Sequence, residues 1–136
     1  MPKFGLRSKQ RLETCDSRLQ KVMNEVINHV DITVLCGHRG EEDQNAAVAT
    51  GNSNAPWPKG RHNKFPSLAI DVAIYDSSVS GGVDWADTER FTYLAGFILG
   101  IAKSMDIDLI WGNDWDGDFD TKDTTLKDYP HFELRE

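Results

Sequence analysis

The chain lacks a cysteine framework, a long apolar run and an excess of positive charge, and each absence removes a class of function. Its two cysteines, Cys15 and Cys36, are too few for a disulfide scaffold, and neither belongs to a CxxC pair. Both read as reduced, largely buried thiols. No apolar stretch approaches the ~20 residues of a membrane span. The basic N-terminus, MPKFGLRSKQRLE, has no apolar core of a secretory signal, so synthesis in the cytosol is expected, with delivery by another factor if the protein acts elsewhere. Against 15 Lys and Arg stand 22 Asp and Glu, a net charge of −7, which argues against a phosphate-neutralising nucleic-acid face. Repeats, low-complexity segments and an HExxH motif are also missing.

What is present fits one domain over residues 1–136, with 39% apolar and 27% charged residues and length enough for one sizeable core. From Asp16, DSRLQKVMNEVINHV sets Leu19, Val22, Met23, Val26, Ile27 and Val30 at helical spacing, with Asp16 or Ser17 as N-cap and His29 on the surface. DITVLCG reads as a strand ended by Gly37, and EEDQNAAVATG as a helix ended by Gly51. Residues 52–67 carry three prolines and form an irregular loop. LAIDVAIY is a second strand, WADTERFTYLAGFILGIAKSMD a long helix capped by Asp87 or Thr88, and IDLIW and HFELR two further strands. The implied class is α+β, a small antiparallel sheet covered by helices.

The strand LAIDVAIY contains an anomaly. By its period of two, Leu68, Ile70, Val72 and Ile74 form a core face, while Ala69, Asp71, Ala73 and Tyr75 form an open floor around one carboxylate. A half-buried Asp71 needs a positive partner, either a metal or a salt bridge to Arg39 or Arg61. Near the C-terminus, DYPHFEL sets Asp128 three residues before His131, with Glu133 on the same strand face as His131. His62, Asp71 and His131 are together a three-ligand set suited to Zn²⁺ with a fourth position open. Asp128 would then stand near the ion as a general base.

RHNKFPSLAIDVAIY, WGNDWDGD and DYPHFEL together resemble the zinc-dependent peptidoglycan peptidases of the D-Ala-D-Ala carboxypeptidase and L-alanyl-D-glutamate endopeptidase group, most of all its short phage endolysins. The family's histidine, its aspartate in an Ala-x-Asp strand, and its acidic residue three before a final histidine fall on His62, Asp71, Asp128 and His131. An arginine after the first core strand is matched by Arg39, and a glutamine in the next helix by Gln44. The match runs from about residue 36 to 134. It departs at Gly60, where many members have serine, and in the longer KFPSLA spacing, which bear on loop geometry and leave each ligand in place.

The resemblance implies a Hedgehog/DD-peptidase-like fold cradling one zinc ion held by His62, Asp71 and His131, with Asp128 as proton shuttle. Arg39 would bind a substrate carboxylate or the oxyanion, or pair with Asp71 or Glu42. Glu133 supports His131 from behind, and Gln44, Asn63 and Trp115 are weaker candidates for contacts around the site. His38 has no counterpart and is left out. Asp114, Asp116 and Asp118 alternate in the manner of a calcium loop, but the glycine is misplaced for an EF-hand, and a solvated loop is the simpler reading.

The function expected is hydrolysis of a stem-peptide bond of bacterial peptidoglycan, L-alanyl-D-glutamate first and D-alanyl-D-alanine as the alternative. A metal-, calcium- or wall-binding module without turnover is the reading of another class. No separate wall-binding domain is expected. The expected protein is a monomer that reaches the wall through a holin-type factor.

Overall fold

The computed structural model describes residues 2–135. Its elements in chain order are helix α1 (Leu6–Leu12), helix α2 (Ser17–Val26), strand β1 (Ile32–Cys36), helix α3 (Glu41–Ala49), strand β2 (Ala69–Ile74), helix α4 (Thr88–Ser104), strand β3 (Leu109–Trp111) and strand β4 (His131–Leu134). A single 3₁₀ turn, Arg61–Asn63, lies in the long loop between α3 and β2. The strands form one sheet in the order β1-β2-β4-β3, with every neighbouring pair antiparallel.

Local chemistry sets the helix ends. Asp16 caps α2 by accepting from the Arg18 N–H, and Asp87 caps α4 by accepting from the Arg90 N–H. The helix expected to run to Val30 stops at Val26, where Asn28 and His29 donate to carbonyls three residues back and tighten the last turn. In α2, Leu19, Val22, Met23 and Val26 are fully buried. They pack with Leu94, Ile98 and Ala102 of α4 against Ile70 and Val72 of β2 and Phe132 of β4. Each buried side chain of this size contributes roughly 1.5–3 kcal/mol of transfer free energy. No helix among the described residues is long and apolar enough to cross a membrane.

Two features differ from the sequence expectation. Helix α1 lies in what read only as a basic N-terminus. It covers the outer edge of β1, where the Val34 N–H donates to Ser8 Oγ at 3.0 Å and the Val34 carbonyl accepts from Arg11 at 3.0 Å. These are the backbone groups an edge strand leaves unpaired, so α1 satisfies and blocks the edge. The floor around Asp71 is also less open than its alanines imply. Ala69 and Ala73 are fully buried, and Ala73 is covered by a small second cluster with Val83 and Phe91, against which Leu35 and Tyr129 pack.

Candidate active site

The sheet register assembles the site. Asp71 of β2 pairs with His131 of β4 on one side and with Cys36 of β1 on the other, so three strands present Cys36, Asp71 and His131 in a row. Residues directly opposite in an antiparallel pair point to the same face. His62 arrives from the 3₁₀ turn in the loop before β2. Its Nε2 lies 3.2 Å from Asp71 Oδ1 and 3.3 Å from His131 Nδ1, and His131 Nδ1 lies 3.1 Å from Asp71 Oδ1.

The outer nitrogens decide the chemistry. His62 Nδ1 is 2.7 Å from the Gly37 carbonyl, which can only accept, so that nitrogen carries the proton. His131 Nε2 likewise donates to Glu133 Oε1 at 2.8 Å. In their neutral forms both rings therefore aim a lone pair at the same point as the Asp71 carboxylate. Three acceptors this close repel unless a cation lies among them, a proton or a metal. An ion with tetrahedral bonds of about 2.0–2.1 Å needs donors about 3.3 Å apart, and the donor set of two imidazoles and a carboxylate suits zinc. On spacing, donor type and burial the residues fit such an ion.

The electrostatics agree with a shared cation. Burial alone lowers His62, but the Asp71 carboxylate against it prevails and pushes the imidazole up to about 10. Burial likewise opposes the His131 imidazolium, and hydrogen bonds to Asp71 and Glu133 raise that ring to about 9. Asp71 would be raised by burial, yet the two histidines hold it well below the usual carboxylate range.

Around the three donors lies a cleft of about 860 Å³. Asp128 lines it, with Oδ2 3.9 Å from His131 Nδ1. Its carboxyl is raised, first by burial and then by the charge of Asp71. A turn delivers it: His131 N–H donates to the Asp128 carbonyl, and Asp128 N–H to the Gly112 carbonyl. Gly112 is required there, since a β-carbon would lie 2.2 Å from the Asp128 carbonyl oxygen. Gly37 is needed for a similar reason, because a β-carbon would lie 2.3 Å from the Arg11 carbonyl oxygen at the end of α1.

Arg39 also lines the cleft, 3.9 Å from Asp71 Oδ2, and donates to Gln44 Oε1 at 3.0 Å. No ion pair joins Arg39 to Glu42 among the described residues. The pairing between Arg61 and Asp71 is likewise replaced, since Arg61 lies 3.3 Å from Glu133 Oε2 and donates to the Leu134 carbonyl. Glu133 thus stands between Arg61 and His131. Gln44 and Asn63, read from sequence as substrate contacts, are buried and turned inward. The Asn63 amide donates to Gln44 Oε1 and to the Arg39 carbonyl, both at 3.1 Å, so the pair holds Arg39 and the loop in place. The Trp115 ring stands 5.4 Å from that of His131, with its indole N–H donating to the Leu126 carbonyl. His38 packs edge-on against Phe65, away from the three donors.

The acidic loop is a separate cluster. Asp114, Asp116 and Asp118 bring carboxylate oxygens within 4.8 Å of one another. Asp114 is buried, with one oxygen accepting from the Phe119 N–H and the other unpartnered. Asp116 and Asp118 are exposed and accept from backbone N–H groups of the loop. Sequence reasoning passed over Cys36, whose place beside Asp71 depends on a register shift between Val34 and Cys36 that no pattern in β1 reveals.

Known proteins resemble the chain in sequence and in fold. The chain is 31% identical over 138 residues to the L-alanyl-D-glutamate peptidase of Escherichia phage T5, with 97% of each chain covered. The crystal structure of the Serratia marcescens L-Ala D-Glu endopeptidase ChiX matches with a TM-score of 0.75 at 26% identity, over 98% of this chain and 90% of that one. The family model for phage L-alanyl-D-glutamate peptidases covers residues 1–135, and the chain belongs to that family.

Proposed function

We propose that the protein hydrolyses the L-alanyl-D-glutamate bond of peptidoglycan stem peptides, as a zinc-dependent phage endolysin. The observation that carries this reading is the convergence of His62 Nε2, Asp71 Oδ1 and His131 Nδ1 to within 3.1–3.3 Å, with both outer ring nitrogens tied down. His62, Asp71 and His131 would hold the ion, which supplies Lewis-acid polarisation of the scissile carbonyl and of the attacking water when bound.

The chain's own groups do the rest. Asp128, whose carboxyl is raised by burial above its ordinary value, takes the proton from the attacking water and returns it to the leaving amine. Arg39, held by Gln44, presents a fixed cation to the oxyanion or to a substrate carboxylate. Glu133 keeps His131 in the tautomer that leaves Nδ1 free, and the Gly37 carbonyl does the same for His62 Nε2. The enzyme acts as a monomer on the wall after a holin-type factor opens the route.

The test is mass spectrometry of muropeptides from purified sacculi, digested with and without a chelator. Stem peptides beginning at D-glutamate are expected, lost with chelator and restored by Zn²⁺. Release of free D-alanine would instead identify a carboxypeptidase. Binding without any cleavage would identify a wall-binding module.

A further inference from the structure

The cleft has a wall that the proposed reaction leaves unused. Trp85 lines it together with His62, Asp71 and His131, and Trp85 is 59% exposed. Its indole stacks on the Phe91 ring, with centroids 5.7 Å apart and planes 26° from parallel. Phe91 is buried in the small cluster over Ala73, so the indole is braced against the core while much of its surface meets water. The backbone holds it there. The Asp84 carboxylate accepts from the Ala86 N–H at 3.2 Å, and Asp87 caps α4 just beyond. A large aromatic surface that is both exposed and immobilised is ready to take a partner with little further loss of freedom.

We propose, resting on the peptidoglycan reading above, that Trp85 is a saccharide platform: a sugar ring of the glycan strand packs its apolar face on the indole while the stem peptide runs to the three donors. The substrate's own chemistry puts a sugar close by. The scissile carbonyl belongs to L-alanine, whose nitrogen is joined through a lactyl group to muramic acid, and these two units span at most about 7 Å when extended. Ring steps of 5.7 and 6.1 Å lead from Trp85 through Phe91 to Tyr129, the neighbour of Asp128. The platform therefore stands in the range of the first sugars beyond the peptide. A neutral saccharide also suits the local charge, since Asp84 and Asp87 flank Trp85 and would repel an anionic wall polymer. Asn52, Asn54 and Thr125 in the same cleft bring amides and a hydroxyl suited to sugar hydroxyl and acetamido groups.

The experiment gives the purified full chain, supplied with Zn²⁺, two substrates: a disaccharide-linked stem peptide and the same peptide without sugar. The wild type should prefer the former by about tenfold in kcat/KM, with the difference in KM. Trp85→Ala should shrink that ratio to about twofold or less, and Trp85→Phe, which keeps a ring, should retain most of it. An equal loss on both substrates marks Trp85 as structural and overturns the platform. So does a wild type without preference, a ratio unchanged in Trp85→Ala, or one lost as fully in Trp85→Phe. Cleavage of neither substrate overturns the proposed function instead, and calorimetry with peptide-free glycan chains then decides the platform. Binding by the wild type that Trp85→Ala abolishes supports it, and no binding by the wild type overturns it.

Discussion

Metal affinity should climb steeply with pH, because the ion and protons compete for the same lone pairs. In the metal-free protein His62 is raised to about 10 and His131 to about 9, so at neutral pH the cluster holds a proton that an entering cation must expel. Expelling one proton raises apparent affinity about tenfold per pH unit, and expelling two about a hundredfold. From pH 6 to pH 8 the expected gain is therefore on the order of 10²- to 10⁴-fold. Competition with a chromophoric chelator, corrected for its own protonation, measures the slope. Calorimetry in two buffers of different ionisation enthalpy counts the protons. A flat affinity over this range would refute the reasoning.

The same groups set the stability of the metal-free form. The raised histidines stabilise it fully below their ordinary value of 6.5, and that contribution is lost as pH rises through about 9 and 10. The depressed Asp71 stabilises it above its ordinary value of 3.8 and fails as pH falls further. For these groups, stability of the metal-free protein peaks between about pH 4 and 6.5. The gain in Tm on adding metal should accordingly widen from pH 6 upward.

Other outcomes follow from single contacts. Asp128→Ala should keep its metal content while lysis of sacculi falls about 10²- to 10⁴-fold, and an undiminished rate would remove Asp128 from the chemistry. Glu133→Gln should weaken Zn²⁺ binding about 10- to 100-fold by loosening the His131 tautomer, read by chelator competition, with unchanged affinity counting against that role. Gly112→Ala should lower Tm and activity together, since its β-carbon would meet the Asp128 carbonyl; activity at the wild-type level would show that the turn has room to move. Titrating Ca²⁺ into the zinc-loaded protein should leave Tm and rate unmoved if the acidic loop is solvated, and a rise in Tm would instead place a cation at the unpartnered Asp114 oxygen.

Much of this architecture was legible because its signals are local. The caps Asp16 and Asp87, the helical spacing of Leu19 to Val26, and the carboxylate within LAIDVAIY all declare themselves in a few residues. His62 and His131 were legible as polar residues beside strands. What stayed hidden depends on tertiary partners. Helix α1 is seven residues long with only Ser8 and Leu12 buried, and it exists to serve β1. Gln44 and Asn63 stood out as polar residues near the site, but that they hold Arg39 became visible only with their partners. Cys36 became a neighbour of Asp71 only through a register shift between Val34 and Cys36, which shows itself only once β1 is paired with β2.

The placement of the donors has a consequence for how the molecule matures. Asp71 and His131 are 60 residues apart, whereas His62 precedes Asp71 by nine. On the proposed metal reading, the ion's seat is a clasp between the middle of the chain and its far end. Such distant pairings are the slow part of folding, and until β2 and β4 meet there is no seat to fill. Metal uptake then reports a finished fold, and chelation during refolding should leave the route to that fold intact while removing the clasp that fastens it.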